Sequence, residues 1–244
     1  MAIDNARRFA VLVSLAALLA ACGQPGGSAP AAKQAAPAAK EAAPAAQSAA
    51  ITSNLKPLPE HEKDAPPLTK KSTVRMQTTA GELVIDVFPD AAPHAAQRFL
   101  ELVSSGFYDD TPISRVVPDF VAQFGVNWRE PHKAWKDKDF DDDPTYYALE
   151  RGTLAFAKSG ANMNSTQVFI NYKENNRLAE PRYNFTVFGE IVSGMDVVDK
   201  FARVGDPSLG LDQNRLWQDG GAYLDSLTEK PTMIQHAEVV GAAN

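Results

Sequence analysis

The segment ISRVVPDFVAQ, residues 113–123, sets a charged side chain and an amide side chain into two short apolar runs. These runs, residues 113–117 and 120–124, are rich in β-branched and aromatic residues, which favour strands. An amide such as Gln123 on an otherwise apolar strand would be unsatisfied in a sealed interior, so it favours a lined cleft. Taken singly, Arg115 is most simply explained as a surface residue paired with Asp119.

Similar short runs continue on both sides of this segment. Val74 and Met76 alternate with polar residues, and a turn at Gly81 leads to a second alternating run, which together predict a hairpin. Further strands are predicted at residues 153–157, 167–172, 186–192 and 234–240. Helices are predicted from Pro93 to just before Gly106 and over residues 195–204. Many short strands with two helices indicate a barrel or a sandwich, between which periodicity does not choose.

Composition excludes several classes of function. The 244 residues carry 24 Lys and Arg against 30 Asp and Glu, with a pI near 5.3, so the basic excess needed for nucleic-acid binding is absent. The single Cys cannot form an internal disulfide, and the four His have no metal-ligand spacing. We therefore expect no nucleic-acid partner and no metal.

The N-terminus has the pattern of an export signal. Arg7 and Arg8 precede an uncharged apolar run that ends at Ala21, too short to span a bilayer as a helix. The sequence Leu-Ala-Ala-Cys at residues 19–22 is similar to the lipobox of bacterial lipoproteins, whose Cys becomes the acylated first residue. The sequence thus predicts a signal peptide over 1–21 and lipidation at Cys22. An ordinary signal peptide with an incidental Cys is the alternative.

Three heptads follow that cysteine: APAAKQA at residues 29–35, APAAKEA at 36–42 and APAAQSA at 43–49. Proline in every heptad opposes a continuous helix, and no Leu, Ile, Val or aromatic residue occurs from 23 to 50. Four further prolines lie between residues 57 and 67. The prediction is a lipid-attached flexible tether over 22–71 and a folded domain over 72–244.

Three ordered motifs carry a family resemblance that covers residues 73–240. They are ISRVVPDFVAQ at 113–123, GTLAFA with the later TQVFI at 152–170, and VFGEIVSGMDVV at 187–198. Together they resemble the cyclophilin-type peptidyl-prolyl cis-trans isomerases, in their bacterial exported lipoprotein form. The fold implied is a mainly β, closed eight-stranded antiparallel barrel capped by two helices.

The resemblance also implies roles for individual residues. Arg115 is the implied catalytic cation, because a guanidinium stays protonated and can stabilise the lone pair that appears on a twisted prolyl nitrogen. Gln123 would contact the adjacent carbonyl, helped by a backbone N–H near Lys158, and Gln167 would orient either the substrate backbone or Arg115. The other implied substrate-binding residues are Phe120, Val121, Ala157, Phe169, Leu178 and Phe185.

Residues 127–149 differ from better-known members and include five aspartates at 137, 139, 141, 142 and 143. An EF-hand is excluded, because Asp142 stands where its Gly is needed and Ala148 where its Glu belongs. A solvated acidic loop is favoured over a calcium site. Nearby, Trp128 and Trp135 either pack on the barrel or contact client chains.

The leading hypothesis is an isomerase that accelerates X-Pro rotation in exported or envelope proteins and needs no cofactor. Its partners would be proline-containing polypeptides and, through Cys22, a membrane facing the periplasm, with the domain itself monomeric. Gly23 after the cysteine makes an outer-membrane location plausible. The alternatives are a non-catalytic cyclophilin-fold module that holds proline-containing segments, and an adhesin that uses the barrel as a scaffold.

Overall fold

Eight antiparallel strands close into a barrel in the computed structural model, which describes residues 51–242. Around the barrel the strands follow the order β1-β2-β7-β5-β6-β4-β3-β8. The strands are β1 Ser72–Thr78, β2 Gly81–Val87, β3 Thr111–Val117, β4 Val121–Phe124, β5 Thr153–Lys158, β6 Asn164–Asn171, β7 Val187–Ser193 and β8 Met233–Ala242. The predicted closed eight-stranded barrel is confirmed, and the sandwich is excluded.

Side chains alternate between the barrel interior and its outer surface, as the pleat requires. On β1 the fully buried Val74 and Met76 flank the exposed Arg75. On β6, Val168 and Ile170 join the main core, while Phe169 belongs to a second apolar cluster on the opposite side of the sheet. This second cluster, which we call the outer cluster, lies where the candidate site is built.

Three α-helices accompany the barrel: α1 Pro93–Ser104, α2 Met195–Val198 and α3 Gln213–Ser226. The α1 helix packs Phe99 and Leu102 into the main core, and its first backbone N–H groups donate to the carboxylate of Asp143. Between residues 51 and 242 no helix is long and apolar enough to cross a membrane.

The helix predicted over 195–204 is wrong beyond its first turn. Local turn hydrogen bonds continue only to Phe201, and the Ala202 N–H donates instead to the Thr232 hydroxyl. The sequence instead missed α3, in which Gly220 and Gly221 argue against a helix. Gly220 is required there, because the Trp128 indole lies where its Cβ would be. The same contact shows that Trp128 packs within the protein.

Residues 51–71 correct the predicted domain boundary, because they lie against the barrel and are not part of a flexible tether. Residues 56 and 58 exchange backbone hydrogen bonds with residues 148 and 146 at 2.9 Å. The buried Glu190 carboxylate accepts from the Ser53 hydroxyl at 2.9 Å and from the Asn54 N–H at 3.0 Å. Leu58 and Leu68 are buried. The predicted signal peptide, Cys22 and heptads lie outside the described residues.

We expect a chain that begins at residue 72 to be much less stable than one that begins at residue 51. Burial of Leu58 and Leu68 contributes up to about 1.5–3 kcal/mol each, and the shortened chain also leaves Glu190 buried without its two donors. Urea denaturation of both chains measures the difference. Equal unfolding free energies would show that residues 51–71 do not belong to the folded unit.

Candidate active site

Strand pairing brings the predicted catalytic residues into one row. Arg115 on β3 is paired directly with Gln123 on β4, and Gln123 is paired with Phe169 on β6. Directly paired residues project from the same face of a sheet. Residues that are up to 54 positions apart in sequence are therefore neighbours on the outer surface of the barrel.

A chain of hydrogen bonds connects the polar members of this row. Arg115 Nη1 donates to Gln123 Oε1 at 3.3 Å, and Gln123 Nε2 donates to Gln167 Oε1 at 2.8 Å. Both amides, which sequence analysis expected to need partners, thus have hydrogen-bond partners within the row. Of the two alternatives for Gln167, the structure shows a connection to Arg115 through Gln123.

Arg115 is held without a carboxylate. Its Nε donates to the Ser208 carbonyl at 2.6 Å, and its guanidinium lies 5.6 Å from the centre of the Phe120 ring. Within residues 51–242 it forms no ion pair, so the alternative of a surface pair with Asp119 is wrong. Burial lowers the pKa of Arg115, but a guanidinium remains protonated at neutral pH. Its charge is therefore partly desolvated and not neutralised by an acid.

The predicted apolar residues meet beside this cation in the outer cluster. Val121 and Phe169 are almost fully buried and form its floor, while Phe120, Leu178 and Phe185 are half-buried around it. Phe169 and Phe185 meet edge to face, with ring centres 5.5 Å apart. The arrangement provides an apolar surface next to a fixed positive charge.

An open cleft of about 430 Å³ adjoins the same row of residues. Its lining includes Gln123, Gln167 and Ala157 together with Met163 and Trp217. Trp217 was missed by sequence analysis, because it lies on α3, which the two glycines concealed. The apolar pairs Leu216–Trp217 and Tyr223–Leu224 recur seven residues apart, which is a helical spacing and was the available signal.

The side chain of Lys158 makes contacts at the site that sequence analysis did not predict. Its side chain is 4% exposed and forms an ion pair with Asp142 at 2.7 Å, and its Nζ also donates to the Asn184 carbonyl at 2.9 Å. This places an ammonium 5.6 Å from the centre of the Phe185 ring. Lys158 therefore joins the end of β5 to the segment that carries Phe185.

The acidic segment is only partly solvated, which corrects the loop prediction. Asp143 is buried and accepts from the backbone of α1, and Asp142 accepts from Lys158 and from the Asn164 amide at 2.6 Å. Burial acts to raise the pKa of Asp142, but the hydrogen bonds from Lys158 and Asn164 outweigh it and lower that pKa. Trp135, which lies nearby, packs against the core, and the cations of Arg98 and Lys138 lie over its ring.

Comparison with known proteins gives a match over most of the barrel. A family profile described as "Cyclophilin type peptidyl-prolyl cis-trans isomerase/CLD" matches residues 73–219. This chain belongs to the cyclophilin family.

Relatives and solved structures agree with that membership. The cyclophilin chain is 37% identical over 147 residues to a peptidyl-prolyl cis-trans isomerase of Acinetobacter baylyi, covering 58% of this chain and 77% of the relative. It is 35% identical over 150 residues to peptidyl-prolyl cis-trans isomerase B of Escherichia coli, covering 58% and 90%. A Cryptosporidium parvum cyclophilin structure matches with a TM-score of 0.53 at 21% identity, covering 70% of this chain and 98% of that one, which shows the shared fold. The chain is a cyclophilin-type peptidyl-prolyl cis-trans isomerase.

The Lys158 and Asp142 pair gives the first prediction for this cyclophilin site. Asp142→Asn leaves a buried ammonium without its counter-ion, so we expect a loss of about 3–5 kcal/mol in the free energy of unfolding at pH 7. Because the folded-state pKa of Asp142 is lowered, its stabilisation is fully present above the ordinary aspartate pKa. The difference between wild type and variant should shrink as pH falls through the lowered pKa.

Denaturant titrations from neutral to acidic pH measure this difference. The neighbouring Asp141→Asn is the matched control, because Asp141 is exposed and forms no ion pair within the described part of the chain. Equal losses in the two variants would contradict a stabilising role for the buried pair.

Proposed function

We propose that this cyclophilin accelerates rotation about X-Pro bonds in exported or envelope polypeptides by stabilising the twisted imide with Arg115. The observation that carries the proposal is the placement of Arg115. Its guanidinium is fixed by an amide and a carbonyl, keeps its charge free of any acid in the described residues, and lies beside an apolar floor. Such a cation is available to a substrate.

The chemistry of the reaction explains why a cation is useful. Amide resonance gives the peptide bond a rotational barrier of ~18–20 kcal/mol. As the bond twists, resonance is lost and the prolyl nitrogen gains a lone pair that the ground state lacks. An N–H of Arg115 directed at that nitrogen would stabilise the transition state selectively, which is the condition for catalysis.

Arg115 accounts for only part of a large acceleration. A charge-assisted hydrogen bond contributes about 1.5–3 kcal/mol, and ~1.36 kcal/mol corresponds to a tenfold change in rate. The remainder would come from binding that holds the substrate and excludes water. We assign the pyrrolidine ring to the floor formed by Val121 and Phe169, with Phe120, Leu178 and Phe185 around it.

The polar neighbours would fix the substrate backbone. Gln123 uses one amide N–H toward Gln167, which leaves its second N–H to donate to the carbonyl that precedes proline. Ala157 and Lys158 line the adjoining cleft, where a backbone N–H near Lys158 would also donate to this carbonyl. The Lys158 side chain, which is engaged with Asp142, would act by holding the rim and not by touching substrate.

The location of the enzyme is a separate part of the proposal and is supported by the sequence. The apolar run that ends at Ala21, followed by the only cysteine, favours export, removal of residues 1–21 and lipidation of Cys22. The proline-containing heptads up to residue 49 favour a tether between that anchor and a monomeric folded unit. The enzyme would then act on proline-containing chains at the periplasmic side of a membrane.

Arg115→Ala should lower kcat/KM for a short Ala-Xaa-Pro-Phe peptide by about 10- to 100-fold, because one charge-assisted hydrogen bond is lost in the transition state. Arg115→Lys should be similarly impaired, since an ammonium lacks the planar fork of donors. A direct cis/trans readout, such as exchange NMR, measures the rates. Arg75→Ala is the matched control, because Arg75 lies on a strand but is exposed and paired with acids.

Full activity in Arg115→Lys would refute the geometric argument. No acceleration by the wild-type protein would favour the binding module instead.

Cys22→Ala should abolish incorporation of a labelled fatty acid and move the protein from the membrane fraction to the soluble fraction, because the acyl chain has no other attachment site. Fractionation and labelling in a bacterial host measure both effects. Unchanged membrane association without labelling would contradict the lipoprotein assignment.

A further inference from the structure

A second contact on Arg115 comes from a loop that sequence motifs do not single out. Residues 205–210 approach the strand β3, and the Ser208 carbonyl accepts from Arg115 Nε at 2.6 Å. A hydrogen bond from a charged donor at this distance is among the stronger kinds in proteins. With the contact to Gln123, the guanidinium is held at two of its nitrogens.

The loop is fixed against the backbone that carries Arg115. Asp206 and Gly210 exchange backbone hydrogen bonds at 2.8 and 2.9 Å, which close the loop, and the Leu211 N–H donates to the Ser114 carbonyl at 2.8 Å. A Cβ at Gly210 would stand 2.7 Å from the Arg115 Cα, and Gly210 also has a φ of 73°. Glycine is therefore required for the loop to lie this close.

The orientation of the Ser208 peptide depends on an exposed carboxylate. Asp206 Oδ1 accepts from the Ser208 N–H at 2.8 Å and from the Leu209 N–H at 2.9 Å. These two backbone hydrogen bonds lower the pKa of Asp206, so the acceptor is ionised at neutral pH. The carboxylate touches neither Arg115 nor the cleft, and it acts on the arginine only through the Ser208 carbonyl.

We propose that Asp206 is a positioning residue, which shapes the loop so that Ser208 holds the Arg115 guanidinium in the orientation needed at the prolyl nitrogen. The inference rests on the proposed role of Arg115. A free arginine side chain samples many rotamers, and holding it in one orientation costs entropy. Fixing Nε and Nη1 before substrate arrives removes part of that cost from the catalytic step and leaves the other N–H groups for the substrate.

The test compares two substitutions at position 206. Asp206→Ala removes the acceptor and should lower kcat for the Ala-Xaa-Pro-Phe peptide by about tenfold with KM little changed. Asp206→Asn keeps a side-chain oxygen that can accept the same N–H groups, so it should recover most of kcat. Asp206 is exposed, and both variants should keep the thermal stability of the folded protein. Asp196→Ala is the control, because Asp196 is also exposed but pairs with Lys200.

An NMR measurement on the full-length protein adds a readout that does not depend on activity. The Arg115 Nε–H signal, assigned by its absence in Arg115→Lys, should exchange slowly with water in wild type and in Asp206→Asn. It should exchange faster in Asp206→Ala. A wild type without isomerase activity but with this pattern would reject the proposed function while still showing that Asp206 orders the arginine.

Two results would overturn the positioning role. One is an Asp206→Ala variant with wild-type kcat and an unchanged Nε–H exchange rate. The other is an equal loss of kcat in the Ala and Asn variants. The side-chain oxygen that Asn retains would then fail to restore the position of Arg115.

Discussion

Direct pairing of Arg115, Gln123 and Phe169 across three adjacent strands is the constraint from which the rest of the site follows. In a closed barrel each strand has two neighbours, so a slip of one residue in β4 would turn Gln123 inward and Ala122 outward. The filled interior prevents such a slip, because Ala122 and Phe124 are fully buried in the main core. Packing on the inner face therefore fixes the chemistry on the outer face.

The surroundings of the barrel serve this outer face in different ways. The segment 51–71 covers one part of the outer cluster with Leu68, while Val121 and Phe169 of the same cluster form the floor beside the cation. On the other side, α3 brings Trp217 to the cleft, and the loop 205–210 reaches Arg115. Barrel strands carry Arg115, Gln123 and Phe169, and the connections between the strands contact these residues or the cleft beside them.

Two buried or half-buried cations in this protein illustrate opposite uses of charge. Lys158 is neutralised by Asp142 and held between three segments, so its charge serves the structure. Among residues 51–242 the hydrogen bonds of Arg115 go to neutral oxygens of Gln123 and Ser208, so its charge is fixed in position but not cancelled. A cation of the second kind can act on electrons that appear during a reaction, whereas one of the first kind cannot.

Local patterns in the sequence were sufficient for the strands and the first helix, whereas the candidate site residues came from the family resemblance. Alternation of apolar and polar residues, and runs of β-branched and aromatic residues, are properties of a few consecutive positions. These patterns placed all eight strands to within a few residues. The amides of Gln123 and Gln167 on apolar strands correctly indicated a lined cleft. The ordered motifs supplied the closed barrel, which periodicity alone left undecided between two architectures.

Tertiary structure alone decided the features that depend on contacts between distant segments. Residues 51–71 resemble a proline-rich linker locally, yet Glu190 and the outer cluster hold them in place. Gly220 opposes a helix until Trp128 occupies the space that a side chain would need. The contacts of Lys158 with Asp142 and of Arg115 with Ser208 form only in the folded protein. Sequence spacing carries no information about them, because closure of the barrel brings these distant residues together.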